Sequence, residues 1–280
     1  MTVASRNGRP PATEAFDRLA AEYDELTGGE IFRVFRRRTH RAFARHFGPD
    51  SRVLEIGCGT GLDTAFLASR CRHVVACDPS EAMATRTLRR LAKDGLEARA
   101  TVMPCGLQDV QSFLDALVPH EPFDGIVSNF GALNCVCHLA PLGAVVRRHL
   151  RAGGTMLLGV MSRVCLMEAL YFTATRRPRL ATRRLGTGAV AVPVAGIDVP
   201  TFYHRTGALR ATLGGEVRLR AIEGIGVCMP PPYLESRWQE LPRSVRGVVV
   251  ALDDWLAPWP PFNRLGDHVL LHFVKDAADV

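Results

Sequence analysis

Glu55, Gly57, Gly59, Gly61 and Asp78 are the residues of this chain whose types and spacing can serve chemistry. Three alternate glycines close the run VLEIGCGTG (53–61), and Asp78 ends a second apolar run, VVACD. Glycine lets the backbone adopt positive φ and approach a ligand closely. A carboxylate at the end of the next strand, about twenty residues on, can accept both hydroxyls of a ribose. A nucleotide-like ligand is therefore expected at the end of the first strand. Dinucleotide sites use G-x-G-x-x-G, with the pyrophosphate on a helix N-terminus. Here G-C-G-T-G runs into Leu62 and Asp63, so the third glycine comes one place early. Glu55, an acid inside the strand, suits a ligand with a positive charge nearby.

These residues need a scaffold. Residues 14–27 place Phe16, Leu19, Ala20 and Tyr23 on one helical stripe, broken at Gly28-Gly29. A second helix, about 30–47, carries Ile31, Val34, Phe35 and Phe43. Strands are then expected at 52–57, 73–78, 97–103, 123–129 and 154–160. Helices at 61–70, 80–94, 107–118 and 138–150 separate them. This βαβαβ rhythm argues for a parallel sheet with helices on both faces. The ligand then sits at the carboxyl ends of the strands, where strand order reverses. After 160 the rhythm breaks. Residues 161–205 are too many for a simple connection and are read as an inserted cap over the site. A helix at 206–213, a strand at 216–227, helices through 257 and a strand at 268–275 follow. The expected organisation is N-terminal helices covering the site (1–48), a cofactor core (49–160), the cap (161–205) and a C-terminal completion of the sheet (206–280).

In this order, VLEIGCGTG, VVACDPSEAM, FDGIVSNFGALN and HLRAGGTMLL resemble the motifs of class I S-adenosylmethionine-dependent methyltransferases, of the small-molecule, type 11/25-like kind. The resemblance covers roughly residues 14–160. It implies an α/β, Rossmann-like, doubly wound seven-stranded sheet with an antiparallel last strand and a cap inserted after strand 5. It implies S-adenosyl-L-methionine as cofactor, with Glu55, Gly57, Cys58, Gly59 and Gly61 around its methionine part. Asp78 would hold the ribose, with Pro79 and Met83 near the adenine. The family often has an acid after strand 3; here backbone groups of Gly106 and Leu107 would serve, or Asp109 if the strand is shifted. Asn129, Phe130 and Gly131 would touch the cofactor, and Phe130 and Asn134 would face the substrate. Tyr23 resembles the N-terminal-helix tyrosine that closes over the cofactor. The [N/D]-P-P-[Y/F] motif of members acting on DNA bases or glutamine is absent.

Methyl transfer is an in-line displacement that needs alignment and a dry site. A base is required only when the nucleophile must lose a proton. The candidates are His204, where the cap returns to the sheet, and His138, after strand 4, with Tyr203 and His268 behind them. Met167, Tyr171 and Tyr203 are candidate substrate contacts, and the apolar cap suggests a small-molecule substrate with apolar or aromatic surface.

Composition bounds the rest. The chain has 280 residues, 47% hydrophobic and 22% charged, which suits a globular protein. No apolar run reaches the roughly 18 residues of a membrane span. The first residues lack an apolar leader core, and a flexible tail of about a dozen residues is expected. Eight cysteines without a C-x-x-C pair read as reduced thiols in a cytoplasmic protein. Cys135, Cys137 and His138 lack a partner pair, so no metal is expected. Net charge is +7, with basic runs at 33–41 and 176–184. They are read as solvated helix faces; contact with phosphates, as in an RNA methyltransferase, is the alternative. No RNA-binding module accompanies them, so a nucleic-acid partner is not expected. A non-catalytic cofactor-binding protein is a further alternative, and a homodimer is compatible with the chain.

Overall fold

The structure, a computed structural model, describes residues 9–117 and 121–276. It opens with α1 (Pro11–Leu19), α2 (Tyr23–Leu26) and α3 (Glu30–His46). The stripe expected as one helix over 14–27 is two, because the chain turns where the Glu22 N–H returns to the Leu19 carbonyl at 3.0 Å. Pro11, pre-set for a first helical position, starts α1 inside the segment expected to be a flexible tail. The earlier part of that tail lies outside the described residues.

Next come β1 (Arg52–Ile56), α4 (Leu62–Ala68), β2 (His73–Cys77), α5 (Glu81–Asp94), β3 (Ala100–Met103), α6 (Val110–Ala116), β4 (Phe123–Ser128), α7 (Ala140–His149) and β5 (Leu150–Met161). The punctuation is local chemistry. The Ser80 hydroxyl caps α5 by accepting the Met83 N–H at 3.1 Å, and Gly95 ends it in a left-handed conformation. Residues 97–99, expected as strand, form a 3-10 turn.

The insert holds α8 (Leu166–Ala174), α9 (Pro178–Ala181) and a hairpin of β6 (Val190–Val194) and β7 (Ile197–Thr201) that packs on α1. After it run α10 (Thr206–Leu213), β8 (Val217–Ile225), α11 (Glu235–Gln239), α12 (Arg243–Leu256) and β9 (His268–Lys275).

The sheet has seven strands in the order β3-β2-β1-β4-β5-β9-β8. β1 to β5 run parallel, and β9 is antiparallel to both β5 and β8. This is the α/β, Rossmann-like doubly wound architecture expected. Chain order reverses between β1 and β4, so the crevice for a ligand opens there. Side chains alternate across the sheet. Leu54 and Ile56 enter the core beneath α6, α7 and α10, whereas Val53 enters the core beneath α3 and α4.

One buried charge cluster anchors the insert. Glu168 of α8 accepts from Arg184 (2.9 and 2.6 Å), from Arg183 and from the Tyr233 hydroxyl, and Arg184 also reaches Asp267 at 2.7 Å. Buried charges of this kind persist only when paired. Among the described residues no helix is long and apolar enough to cross a membrane.

Candidate functional site

The glycine turn follows β1 directly. Gly57 and Cys58 donate their N–H groups to the Cys77 carbonyl at the end of β2 (2.8 and 3.0 Å). Gly57, Gly59 and Gly61 all have positive φ (78°, 56° and 82°). A Cβ on Gly57 would lie 2.3 Å from the Ala132 Cβ, whereas one on Gly59 would meet no protein atom within 4 Å. Gly59 therefore faces open space. Asp78 is fixed beside it: Oδ2 accepts the Gly59 N–H and Oδ1 the Ser80 N–H, both at 2.9 Å. Burial raises its pKa to about 6, and each oxygen keeps a free lone pair.

Across the cavity stands a pair of opposite charges. Asp63, in the first turn of α4, lies 3.6 Å from Arg36 of α3 and takes hydrogen bonds from His40 (2.7 Å) and the Asn129 amide (2.7 Å). Burial works against its charge, but the His40 bond and Arg36 outweigh it and hold the carboxyl below the usual aspartate range. The Arg36 guanidinium stacks over the Phe130 ring at 4.6 Å. Phe130 has φ of 47°, a left-handed conformation rare for an aromatic residue.

The far end of the cavity is apolar. Met83 and Leu107, 1% and 3% exposed, line it with Pro79, Gly106 and Gln108. The N-terminal helices contribute Phe16 and Tyr23. Asp24, next to Tyr23, bonds to Thr60 of the glycine turn and to Arg90 of α5, and so holds α2 over the turn. Burial pushes the Tyr23 hydroxyl up to about 12, so it stays protonated.

A carboxylate free for ribose hydroxyls, an apolar slot for a purine and a paired cation and anion for an amino acid lie along one crevice. These residues fit S-adenosylmethionine. The methyltransferase-domain family matches residues 53–154. The match runs from β1 into β5, the part of the sheet that bears the crevice. Ribosomal RNA small subunit methyltransferase C of Citrobacter koseri is 33% identical over 108 residues, 38% of this chain and 30% of that protein. Demethylmenaquinone methyltransferase of Clavibacter sepedonicus is 33% identical over 169 residues, 56% of this chain and 61% of that protein. The chain thus spans less than two thirds of either relative. Among solved structures, an S-adenosylmethionine-dependent methyltransferase from Mesorhizobium loti aligns with TM-score 0.56 at 17% identity, over 89% of this chain and 100% of that one. The [4+2]-cyclase SpnF aligns with TM-score 0.61 at 12% identity, over 95% and 96%. At these identities the likeness is one of fold.

Most of the expected cofactor residues meet at the crevice. Tyr23, Gly57, Cys58, Gly59, Asp78, Pro79, Met83, Gly106, Leu107, Asn129, Phe130 and Gly131 line it. Gly61 lies just behind, where a Cβ would come within 2.8 Å of Thr87. Glu55 does not line the crevice: strand alternation turns it under α4, where it accepts the Thr64 hydroxyl at 2.6 Å and burial raises its pKa well above normal. Asp63 is the acid at the wall in its place. Asp109 is not in the wall either; Gln108 is.

The substrate and base expectations need more correction. Asn134 is fully buried, with its amide spent on the Met161 backbone (2.9 and 3.3 Å) and the Phe202 carbonyl (2.7 Å). It pins the insert to β5 and does not line the crevice. His204 Nε2 lies 3.1 and 3.0 Å from the Leu133 and Val136 carbonyls, so it donates there and serves the same pinning. His138 is exposed and outside the crevice. Met167, Tyr171 and Tyr203 also lie outside it. Tyr203 is buried, 5.3 Å from the Arg184 guanidinium, and Tyr171 packs on Phe172. All eight cysteines are free; Cys135 lines the crevice, where burial raises its thiol to about 12.

Sequence reasoning missed Asp63 and Arg36. Asp63 directly follows the glycine turn, a signal that was available. Arg36 lies in a basic run whose helical phase alone does not reveal which arginine turns inward. A second, open groove between α3 and α4 is lined by Arg33, Arg36, Arg37, Arg41 and Arg70 over the stacked rings of His40 and Phe66 (3.9 Å).

Proposed function

We propose that this chain is an S-adenosylmethionine-dependent methyltransferase acting on a small-molecule acceptor with apolar or aromatic surface. The observation that carries the reading is Asp78 held beside Gly59, with the Arg36–Asp63 pair across the same crevice. The cofactor supplies a methyl group on a sulfonium, activated for displacement. The chain's own residues hold, orient and exclude water. Asp78 accepts the ribose hydroxyls. Arg36 takes a carboxylate and Asp63 an ammonium, matching the two ends of an amino acid. Met83 and Leu107 flank the adenine, with the Gln108 amide at its edge. Tyr23 and α2, tied to Thr60 by Asp24, cover the site and dry it. Among the described residues no histidine lines the crevice, so the reading rests on alignment rather than on a histidine base.

Thermal shift and calorimetry with S-adenosylhomocysteine and with NAD test the cofactor. Stabilisation by the former alone is expected; none at saturation overturns the reading. Transfer of labelled methyl to fractionated small molecules then tests the acceptor class.

The arginine groove favours a second reading, methyl transfer to RNA. It joins the crevice through Arg36, which lines both. Arg33, Arg37 and Arg41 stack at i, i+4 and i+8, where like charges repel and a phosphate backbone would relieve them. Binding of mixed RNA with a steep salt dependence supports this; no binding at low salt removes it.

A further inference from the structure

α12 is built inside out. Two of its charged residues point into the protein: Arg246 pairs with Glu30 of α3, and fully buried Asp253 pairs with Arg38 of α3. Facing solvent are Val245, Val248, Leu252 and Trp255, exposed by 43, 68, 43 and 66%. Their steps are three, four and three residues. Leu241 and Trp259, 40 and 59% exposed, continue the row past each helix end. A surface helix normally turns such a stripe inward, and the alternating three-four step is that of a helix-pair seam. Along one side of this row the helix carries Ser244, Ala251 and, further round, Gly247, all exposed. Gly247 is a separate observation. Glycine weakens a helix interior, yet a Cβ here would meet no atom within 4 Å. Among the described residues nothing requires a glycine there, and its missing side chain leaves room for a close neighbour.

We infer that the exposed face of α12 is a homodimer interface, pairing antiparallel with α12 of a second copy about a two-fold axis. In that alignment Val248 of one copy lies beside Leu252 of the other, Val245 beside Trp255, and Leu241 beside Trp259. Smaller meets larger in each layer, so the face is complementary to itself, as a two-fold interface requires. Charge agrees. Arg243, exposed and without an acidic partner among the described residues, falls beside the C-terminal turn of the opposite helix. The negative end of the helix dipole lies there, beside Asp254, which is half-exposed and also pairs with Arg38. Area agrees too. The six apolar side chains expose on the order of 600 Å², the upper end of what a monomer leaves as its largest patch. Pairing buries about twice that, which reaches the size of a stable interface.

Sedimentation velocity on the full chain, from about 1 to 100 μM, reads the result. A species of twice 30.7 kDa is expected, and Val248→Glu with Leu252→Glu should return it to a monomer with unchanged circular dichroism. Should that variant not fold, Ala251→Cys, next to the two-fold axis, should cross-link two copies under mild oxidation, while Arg237→Cys should not. A parent chain that stays monomeric at 100 μM overturns the inference. So does a dimer that survives the double substitution, or a monomer whose α12 face instead binds lipid vesicles.

Discussion

Asp78 Oδ2 accepts the Gly59 N–H at 2.9 Å, which locks the carboxylate at the end of β2 to the turn at the end of β1. Burial raises this carboxyl to about 6. Ribose hydroxyls bind the ionised form better, so affinity for S-adenosylhomocysteine should be level above about pH 7 and fall about tenfold per unit below about pH 6. In the unliganded protein the sign is opposite. The folded pKa lies above the unfolded value, so the neutral acid's stabilisation is full below about pH 4 and is lost as pH rises through about 6. Asp78→Asn should weaken binding about 10- to 100-fold and flatten its pH profile. Calorimetry across this range decides; an unchanged affinity in the variant would show the ribose site to be elsewhere.

Two glycines of the turn should fail differently. Gly57→Ala places a Cβ 2.3 Å from that of Ala132 at φ of 78°, and should cost about 2–4 kcal/mol in denaturant unfolding. Gly59→Ala meets no protein atom, so it should cost only about 1–2 kcal/mol for its φ while abolishing cofactor binding. Normal binding by Gly59→Ala would count against the assigned crevice.

Arg36 and Arg37 are neighbours with different predicted roles. Arg36→Met removes the cation facing Asp63 and should weaken S-adenosylhomocysteine binding about 10- to 100-fold. Arg37→Met, in the outer groove only, should leave that affinity unchanged and weaken only binding of phosphate-bearing polymers. Equal effects would separate Arg36 from the cofactor.

Removing Glu168 takes two bonds from Arg184, which is 5% exposed and keeps Asp267, and the acidic partner from Arg183. Glu168→Ala should destabilise by about 3–5 kcal/mol, read in thermal or denaturant melts. Burial opposes the Glu168 charge, but Arg184 and Arg183 hold its pKa below normal. Such a group stabilises above its unfolded pKa and loses that contribution as pH falls. The parent should therefore lose stability on acidification more steeply than Glu168→Ala does.

The two histidines should prove unequal. His138→Ala, at an exposed site, should change neither stability nor cofactor affinity. His204→Ala frees the Leu133 and Val136 carbonyls and should cost about 1–2 kcal/mol. A pH-dependent loss of methyl transfer in His138→Ala, with binding intact, would restore it as the base.

Sequence by itself determined the alternating elements, the turn at 57–61, Asp78 after β2 and the break at 161. These are properties of short segments: strand period, glycine conformation, helix caps at Ser80 and Gly95. Which acid reaches the ligand was decided by tertiary structure. Glu55 and Asp63 are both acids beside the same turn, but strand alternation sends Glu55 under α4, while the first turn of α4 aims Asp63 at the crevice. Arg36 is one of several arginines on α3, and only packing of Ile31, Phe35 and Phe43 on the sheet sets the rotation that turns it inward. Asn134 and His204 looked like site residues because of where they stand in the chain. They serve as pins because β5, the loop after β4 and the returning insert converge there, and buried carbonyls where segments meet need donors. The face of α12 shows the same limit: its spacing is in the sequence, but only the pairing of Arg246 and Asp253 with α3 leaves its apolar row outward.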